Sequence, residues 1–256
     1  MYRLLLHIVL CLLCTTPALA GEVKVYTELT GRSALYREGR LTGYGVETVQ
    51  EIMRRVGDTG GISVLPWARA YDILLQTPNT ALISTTRTEA RDPLFHWVGP
   101  LSRQQWVFIA RKGSGIVINS LDDARKVGSI GTYIDDVRDK FLLGQGFTNL
   151  DRATSSVFNY RKLIHGRIDL VVSSIFGLEE TAHQAGVSTS DLEIVHVLKE
   201  ADLYLAFSHE TAPKIVHAWQ AAFKSMQDDG TFARIYRKWN PGQEVPLDVR
   251  RPWLNK

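Results

Sequence analysis

Trp106-Val-Phe-Ile-Ala-Arg-Lys-Gly-Ser-Gly115 divides the chain: an apolar run with strand character gives way to a polar, glycine-bearing stretch without apolar periodicity. On each side of it, short apolar or β-branched runs alternate with helical patterns. That order predicts α/β units around a largely parallel sheet. Upstream, strands are predicted over 23–27, 61–65 and 81–84. Between the first two, Val46, Val49, Ile52, Met53 and Val56 recur at helical spacing, Glu47, Glu51, Arg54 and Arg55 take the other face, and Gly57 supplies the stop. A second helix is predicted over 68–76. Downstream, Ser120-Leu-Asp-Asp123 opens a new series with a hydroxyl placed to accept from an exposed helix N–H. The series continues through 127–130, helices over 135–143 and 158–165 followed by Gly144 and Gly166, a strand at 170–174 and a segment at 193–198. After an apolar strand at 203–208, Ile215, Val216, Trp219, Ala222, Phe223 and Met226 mark one face of a helix, and Asp229-Gly230 precedes another helical segment ending at Trp239. Two such series joined by two crossings predict an α/β protein of two lobes, lobe 1 from 21–111 and 201–256 and lobe 2 from 112–200. Folds of this kind place ligands in the cleft between domains, beyond the carboxyl ends of parallel strands.

The first twenty residues, MYRLLLHIVLCLLCTTPALA, carry one charge, Arg3, then an apolar run and the small-x-small ending Ala18-Leu19-Ala20. These are the parts of a secretory signal peptide, and they predict cleavage before Gly21 and a periplasmic destination. The apolar run is short of the roughly 20 residues a membrane-spanning helix needs. Leu13 before Cys14 argues against a lipoprotein signal, which places a small residue there. Cleavage removes both cysteines, Cys11 and Cys14, leaving a product without disulfide, thiolate metal site or cysteine nucleophile.

Hydrophobic residues at 45% and charged residues at 22% fit a globular protein. Lys+Arg 30 against Asp+Glu 27 is too even for a nucleic-acid binder. Residues 112–200 hold 10 basic and 12 acidic side chains, while the remainder beyond residue 20 holds 19 and 15. The basic excess falls on lobe 1, which favours an acidic small ligand.

Five further stretches, in order, are Leu41-Thr-Gly-Tyr-Gly-Val-Glu47, Ser84-Thr-Thr-Arg-Thr-Glu-Ala-Arg91, Val127-Gly-Ser-Ile-Gly-Thr132, Gly166-Arg-Ile-Asp-Leu-Val-Val172 and Asp229-Gly-Thr-Phe-Ala-Arg-Ile-Tyr-Arg-Lys-Trp239. Together they resemble the family 3 extracellular solute-binding proteins, which have the type II periplasmic binding fold, over residues 21–241. Pro66-Trp-Ala-Arg-Ala-Tyr71 resembles a broad proteobacterial branch of that family. The resemblance implies a monomer that captures a small polar ligand for a membrane permease of the ABC type. It implies that the stretch Thr86 to Arg91 clamps a ligand carboxylate, a task suited to a bidentate guanidinium and a hydroxyl. It places Trp67 against the ligand stem and assigns N–H groups at the start of a lobe-2 helix to Thr132 and Tyr133. With Glu28 and Ser84 on lobe 1 and Ser174 on lobe 2, these form the expected site.

Two departures stand out. Gly31 occupies the position where the family brings an aromatic residue, and Ser174 stands where an aspartate holds the ligand ammonium. A hydroxyl cannot serve as counter-ion to a buried ammonium. Either Glu28 takes that role or the ligand is not an ordinary α-amino acid. Arg69, Arg87 and Arg91 are expected in or near the lobe-1 wall, which points to a carboxylate-bearing solute.

Other chemistries find no support. Gly43-Tyr-Gly45 and Gly144-Gln-Gly146 lack the third glycine of a dinucleotide fingerprint, seven histidines include no His-x-x-x-His pair, and no hydrolase signature occurs. The expectation is a binding protein without enzymatic activity, cofactor or metal. Two alternatives stay open: a sensory protein serving a separate membrane receptor, and a periplasmic dehydratase of the kind that acts on prephenate or arogenate on this fold, which needs a general acid at the cleft.

Overall fold

The computed structural model describes residues 22–248; the proposed signal peptide lies outside the described residues. The elements run β1 (Lys24–Thr27), β2 (Leu35–Arg37), β3 (Arg40–Thr42), α1 (Tyr44–Val56), β4 (Ile62–Val64), α2 (Trp67–Gln76), β5 (Thr80–Thr86) and β6 (Phe95–Arg111). Then follow α3 (Leu121–Lys126), β7 (Ile130–Tyr133), α4 (Val137–Gly144), β8 (Leu150–Ala153), α5 (Ser156–Ile164), β9 (Leu170–Ser174), α6 (Ile175–Ala185), β10 (Leu192–Ser208), α7 (Pro213–Asp228) and α8 (Thr231–Trp239). One sheet runs β4-β1-β5-β10-β6-β9-β7-β8, and β2 pairs with β3 in a separate hairpin.

Strands β6 and β10 make the bilobed shape. Each has 17 residues, and they pair antiparallel along their length with register shifts at Ile194/His196, Val197/Lys199 and Leu203/Leu205. One end of the pair joins β5, which is parallel to β1 as β1 is to β4; the other joins β9, which is parallel to β7. Apolar packing divides the same way. One set of clusters includes Val25, Ile52, Phe207 and Trp219 with Leu74 and Trp97, and the other includes Val107, Leu163 and Leu192 with Phe108 and Leu142.

The polar stretch expected to cross between lobes is instead a turn at the outer end of β6: Ser114 N donates to Arg111 O at 3.0 Å and Lys112 N to Asp191 O at 2.8 Å. We place the passage between lobes inside the two strands, near Ser102–Trp106 and Lys199–Leu203. Several polar residues there have a partner or a cavity to face, Ser102 meeting the Tyr44 hydroxyl and Gln104 the cavity. Arg103 donates to both oxygens of Asp202, its cross-strand neighbour, at 2.6 and 3.0 Å. Two shorter differences have local causes. Residues 127–129 form a loop, its Val127 carbonyl held by the Asn149 amide at 2.9 Å, so β7 begins three residues later than the sequence suggested. The hairpin β2–β3 turns on Glu38 and Gly39, both at positive φ, as a tight hairpin requires.

Candidate functional site

A cavity of about 360 Å³ opens where the two sets of strands meet, with walls from both lobes and from β6 and β10. Of the residues expected to form the site, Glu28, Trp67, Ser84, Thr86 and Arg91 border it from one lobe, and Tyr133 and Ser174 from the other.

Arg91 follows β5 at the start of a short 3-10 turn, its N–H donating to the Thr88 carbonyl at 3.0 Å. The side chain is only 6% exposed with the rest of its residue, and its guanidinium carbon lies 5.4 Å from the Trp67 ring centre and 4.9 Å from that of Tyr71. One N–H reaches the Thr86 carbonyl at 3.4 Å. No carboxylate among the described residues lies within 4.0 Å of it. A buried cation lacking a fixed counter-ion is costly, and the cavity beside it can supply one. The other two expected arginines do not join it. Arg87 pairs with Asp92 at 2.5 Å and covers Trp97 and Tyr204, and Arg69 is exposed, outside the cavity wall.

Trp67 opens α2, stacks on Tyr71 at 5.5 Å, and also packs against the cluster of Ala70 and Leu74, so it is at once core and cavity wall. Its backbone N–H donates to Glu28 Oε1 at 3.2 Å, which puts a negative charge at the positive end of the helix. Ser84 sits at φ 60°, an uncommon conformation for serine, with Oγ 2.5 Å from that of Ser33.

Thr132 departs from expectation. It is wholly buried, its hydroxyl donates to Asp139 Oδ1 at 2.7 Å, and it does not border the cavity. Strand β7 extends to Tyr133, so neither residue starts a helix; consecutive strand residues face opposite ways, and Tyr133 takes the cavity side. Helix α4 begins later, capped by Asp136, whose carboxylate accepts from Arg138 N at 2.9 Å. Ser174 caps α6, accepting from Gly177 N at 3.2 Å. With Ser155 capping α5, the N-termini of α4, α5 and α6 border the cavity from lobe 2 and favour negative charge there.

Sequence reasoning missed Asp136 and Arg138, which pair through two hydrogen bonds of 2.6 and 3.0 Å in the cavity wall. Asp135-Asp-Val-Arg138 reads as an ordinary helix start, which hid them. Burial opposes ionisation of Asp136, yet Arg138, with Arg91 adding to it, holds its carboxyl below the ordinary range. Gln104, Trp106 and Leu203 from the long strands also border the cavity. The basic excess of lobe 1 does not carry into the cleft, where Glu28, Asp136 and Glu180 accompany Arg91 and Arg138.

Burial pushes the Glu28 carboxyl above its ordinary range, the Trp67 hydrogen bond pulling it down and the Asp136 charge raising it further. In the window between the unfolded and the raised folded value, the native state holds more proton than the unfolded chain, so stability falls as pH rises. Glu28→Gln is therefore expected to raise the Tm of the ligand-free protein near neutral pH. The gain should vanish below the ordinary glutamate value of about 4.3. Melting curves across that range check it, and a variant that melts with the wild type at neutral pH contradicts it.

The family model for bacterial extracellular solute-binding proteins, family 3, matches residues 24–242. No protein of curated function matches by sequence. Among solved structures, a histidine kinase sensor domain with similarity to periplasmic binding proteins superposes with TM-score 0.78 at 17% identity, covering 89% of this chain and 99% of that one. The arginine-, lysine-, histidine-binding protein ArtJ from Geobacillus stearothermophilus gives 0.74 at 19% identity, with 89% and 98% covered. A putative L-cystine ABC transporter from Listeria monocytogenes gives 0.72 at 21%, with 88% and 98% covered. At these identities the likeness establishes the fold, the type II periplasmic binding fold. The match over 24–242 goes further: this chain belongs to the bacterial extracellular solute-binding proteins of family 3.

Proposed function

We propose that this chain captures a small polar, carboxylate-bearing solute between its two lobes and delivers it to an ABC permease. The observation that carries this reading is Arg91: a guanidinium beside the Trp67 and Tyr71 rings, without a carboxylate partner among the described residues, at the wall of a cavity bordered by both lobes. Two parallel N–H groups and the Thr86 hydroxyl suit a carboxylate. The protein exported by this reading begins at Gly21 and works as a periplasmic monomer that binds its ligand without converting it. A ligand that touches both lobes adds its contacts to the closed state and shifts the equilibrium further toward it.

A second reading, that closure signals to a separate membrane receptor, is favoured by the likeness to a histidine kinase sensor domain. Loss of ligand uptake on deleting the gene supports delivery to a permease; intact uptake with a lost cellular response to the ligand supports sensing.

The test of binding is a thermal-shift screen of the mature protein against amino acids, keto acids and other small carboxylates. A ligand at 100 times its Kd stabilises the fold by about 2.7 kcal/mol. Stabilisation by at least one carboxylate, and not by its amide, is the expected result. A screen in which only carboxylate-free compounds stabilise the protein overturns the reading.

A further inference from the structure

We infer that Phe176 determines which ligands fit this site: carried by lobe 2, it seats in an apolar socket of lobe 1 and closes one end of the cavity, and Gly31 is the residue that admits it. The inference deepens the binding reading and rests on it.

Phe176 is the second residue of α6, directly after the strand that ends at Ser174. Its ring does not turn into its own lobe. It meets Tyr44 edge-to-face, 6.1 Å between ring centres, and clusters with Tyr44 and Trp239, with Leu35 packed alongside; all three belong to lobe 1. The residue is only 7% exposed. The socket is firm, because Tyr44 is wholly buried and its hydroxyl hydrogen-bonds Ser102 Oγ of β6 at 2.8 Å. Phe176 therefore ties α6 to the far wall of the cleft rather than merely facing it.

The same side chain is a partition. On one side Phe176 borders the ligand cavity together with Tyr44; on the other it borders a surface groove with Gly31, Leu35 and Trp239. Removing the ring joins the two spaces. A ligand clamped at Arg91 whose far end runs toward Tyr44 is thus limited in length while Phe176 is seated.

Gly31 makes the approach possible. It has φ 66°, and a Cβ built there would lie 2.8 Å from the Phe176 carbonyl oxygen and 3.3 Å from Glu180 Cβ. The first distance is too short to persist and the obstacle is backbone, so a side chain at 31, already strained by its positive φ, requires α6 or the segment bearing residue 31 to give way, which loosens the seat of Phe176. The absence of an aromatic at position 31 thereby acquires a physical role: the aromatic wall at this end of the cleft is supplied from the opposite lobe.

The test introduces L75C on α2 and L143C on α4, exposed positions on opposite lobes, into the mature chain, where no native thiol competes. Spin labels then report the interlobe distance. A single short-distance population is expected for the parent, a shift of the major population to longer distance for both F176A and G31A, and the parent distribution for F176L, which keeps an apolar knob. Distributions of F176A and G31A that superpose on the parent's overturn the role of Phe176 as the latch that ties α6 to lobe 1; two variants guard against the folding failure of one. Thermal shifts with the straight-chain 2-aminoalkanoates, from alanine to 2-aminooctanoate, read the length limit. Longer members are expected to bind F176A and not the parent. An unchanged cut-off overturns the specificity role, and failure of every member and every other carboxylate to bind either protein refutes the binding reading, while the distances still decide the latch.

Discussion

Arg91→Ala weakens the binding of any carboxylate ligand by about 1.5–3 kcal/mol, the size of a hydrogen bond to a charged group, or roughly 10- to 150-fold in Kd. The loss falls mainly on binding, because among the described residues the Arg91 side chain makes a single hydrogen bond, a long one to the Thr86 carbonyl at 3.4 Å. Arg91→Lys is not expected to restore affinity. An ammonium offers no fork for two carboxylate oxygens and no planar face to lie on Trp67 and Tyr71. Isothermal titration of the three proteins with one carboxylate ligand, beside their melting curves, gives the comparison. Wild-type affinity in the alanine variant removes Arg91 from the site, and a collapse of Tm would make its role structural.

Asp139→Ala is expected to destabilise the fold. The carboxylate is wholly buried under α4 and meets three groups: the Thr132 hydroxyl at 2.7 Å, Arg152 Nη2 at 2.7 Å and the Asp135 N–H at 3.2 Å. Arg152, 38% exposed, can turn to water, whereas the Thr132 hydroxyl is left buried without its acceptor, and an orphaned buried polar group costs about 1–3 kcal/mol. Urea unfolding measures the loss as a lower midpoint at unchanged slope. Because Asp139 ties the end of β7 to α4, the loop bearing Tyr133, Asp136 and Arg138 loses its anchor, so ligand affinity should fall as well. A midpoint close to that of wild type contradicts this account of β7.

Much of lobe 1 is legible in the sequence because its periodicities are undisturbed. The stripe of Val46, Val49, Ile52 and Met53 is the buried face of α1, and that of Ile215, Val216, Trp219, Phe223 and Met226 the buried face of α7. The long strands are not legible for a physical reason. Ser102-Arg-Gln-Gln105 lacks the apolar run that marks Trp106–Ala110 as a strand, and only the fold reveals that Asp202 neutralises Arg103 and that Gln104 faces a cavity. Helix α6 has no counterpart among the sequence-based expectations, since Ile175 is exposed and Phe176 packs on the opposite lobe, which blurs the helical pattern. In the site, the resemblance to the family implies Arg91, Trp67 and Glu28, and all three border the cavity. Thr132 fails because the end of β7 decides which face each residue takes, and Asp136–Arg138 is hidden because a cap that pairs on the surface and one that pairs in a cleft read alike.

The central claim, a ligand carboxylate held by Arg91 between two closed lobes, is tested most directly by a crystal structure of the mature protein with the best carboxylate from the thermal screen. The account predicts both carboxylate oxygens within hydrogen-bond distance of the Arg91 guanidinium, with Tyr133 or the α4 and α6 N-termini touching the same molecule. A ligand that binds outside the cleft, or inside it with its carboxylate away from Arg91, contradicts it.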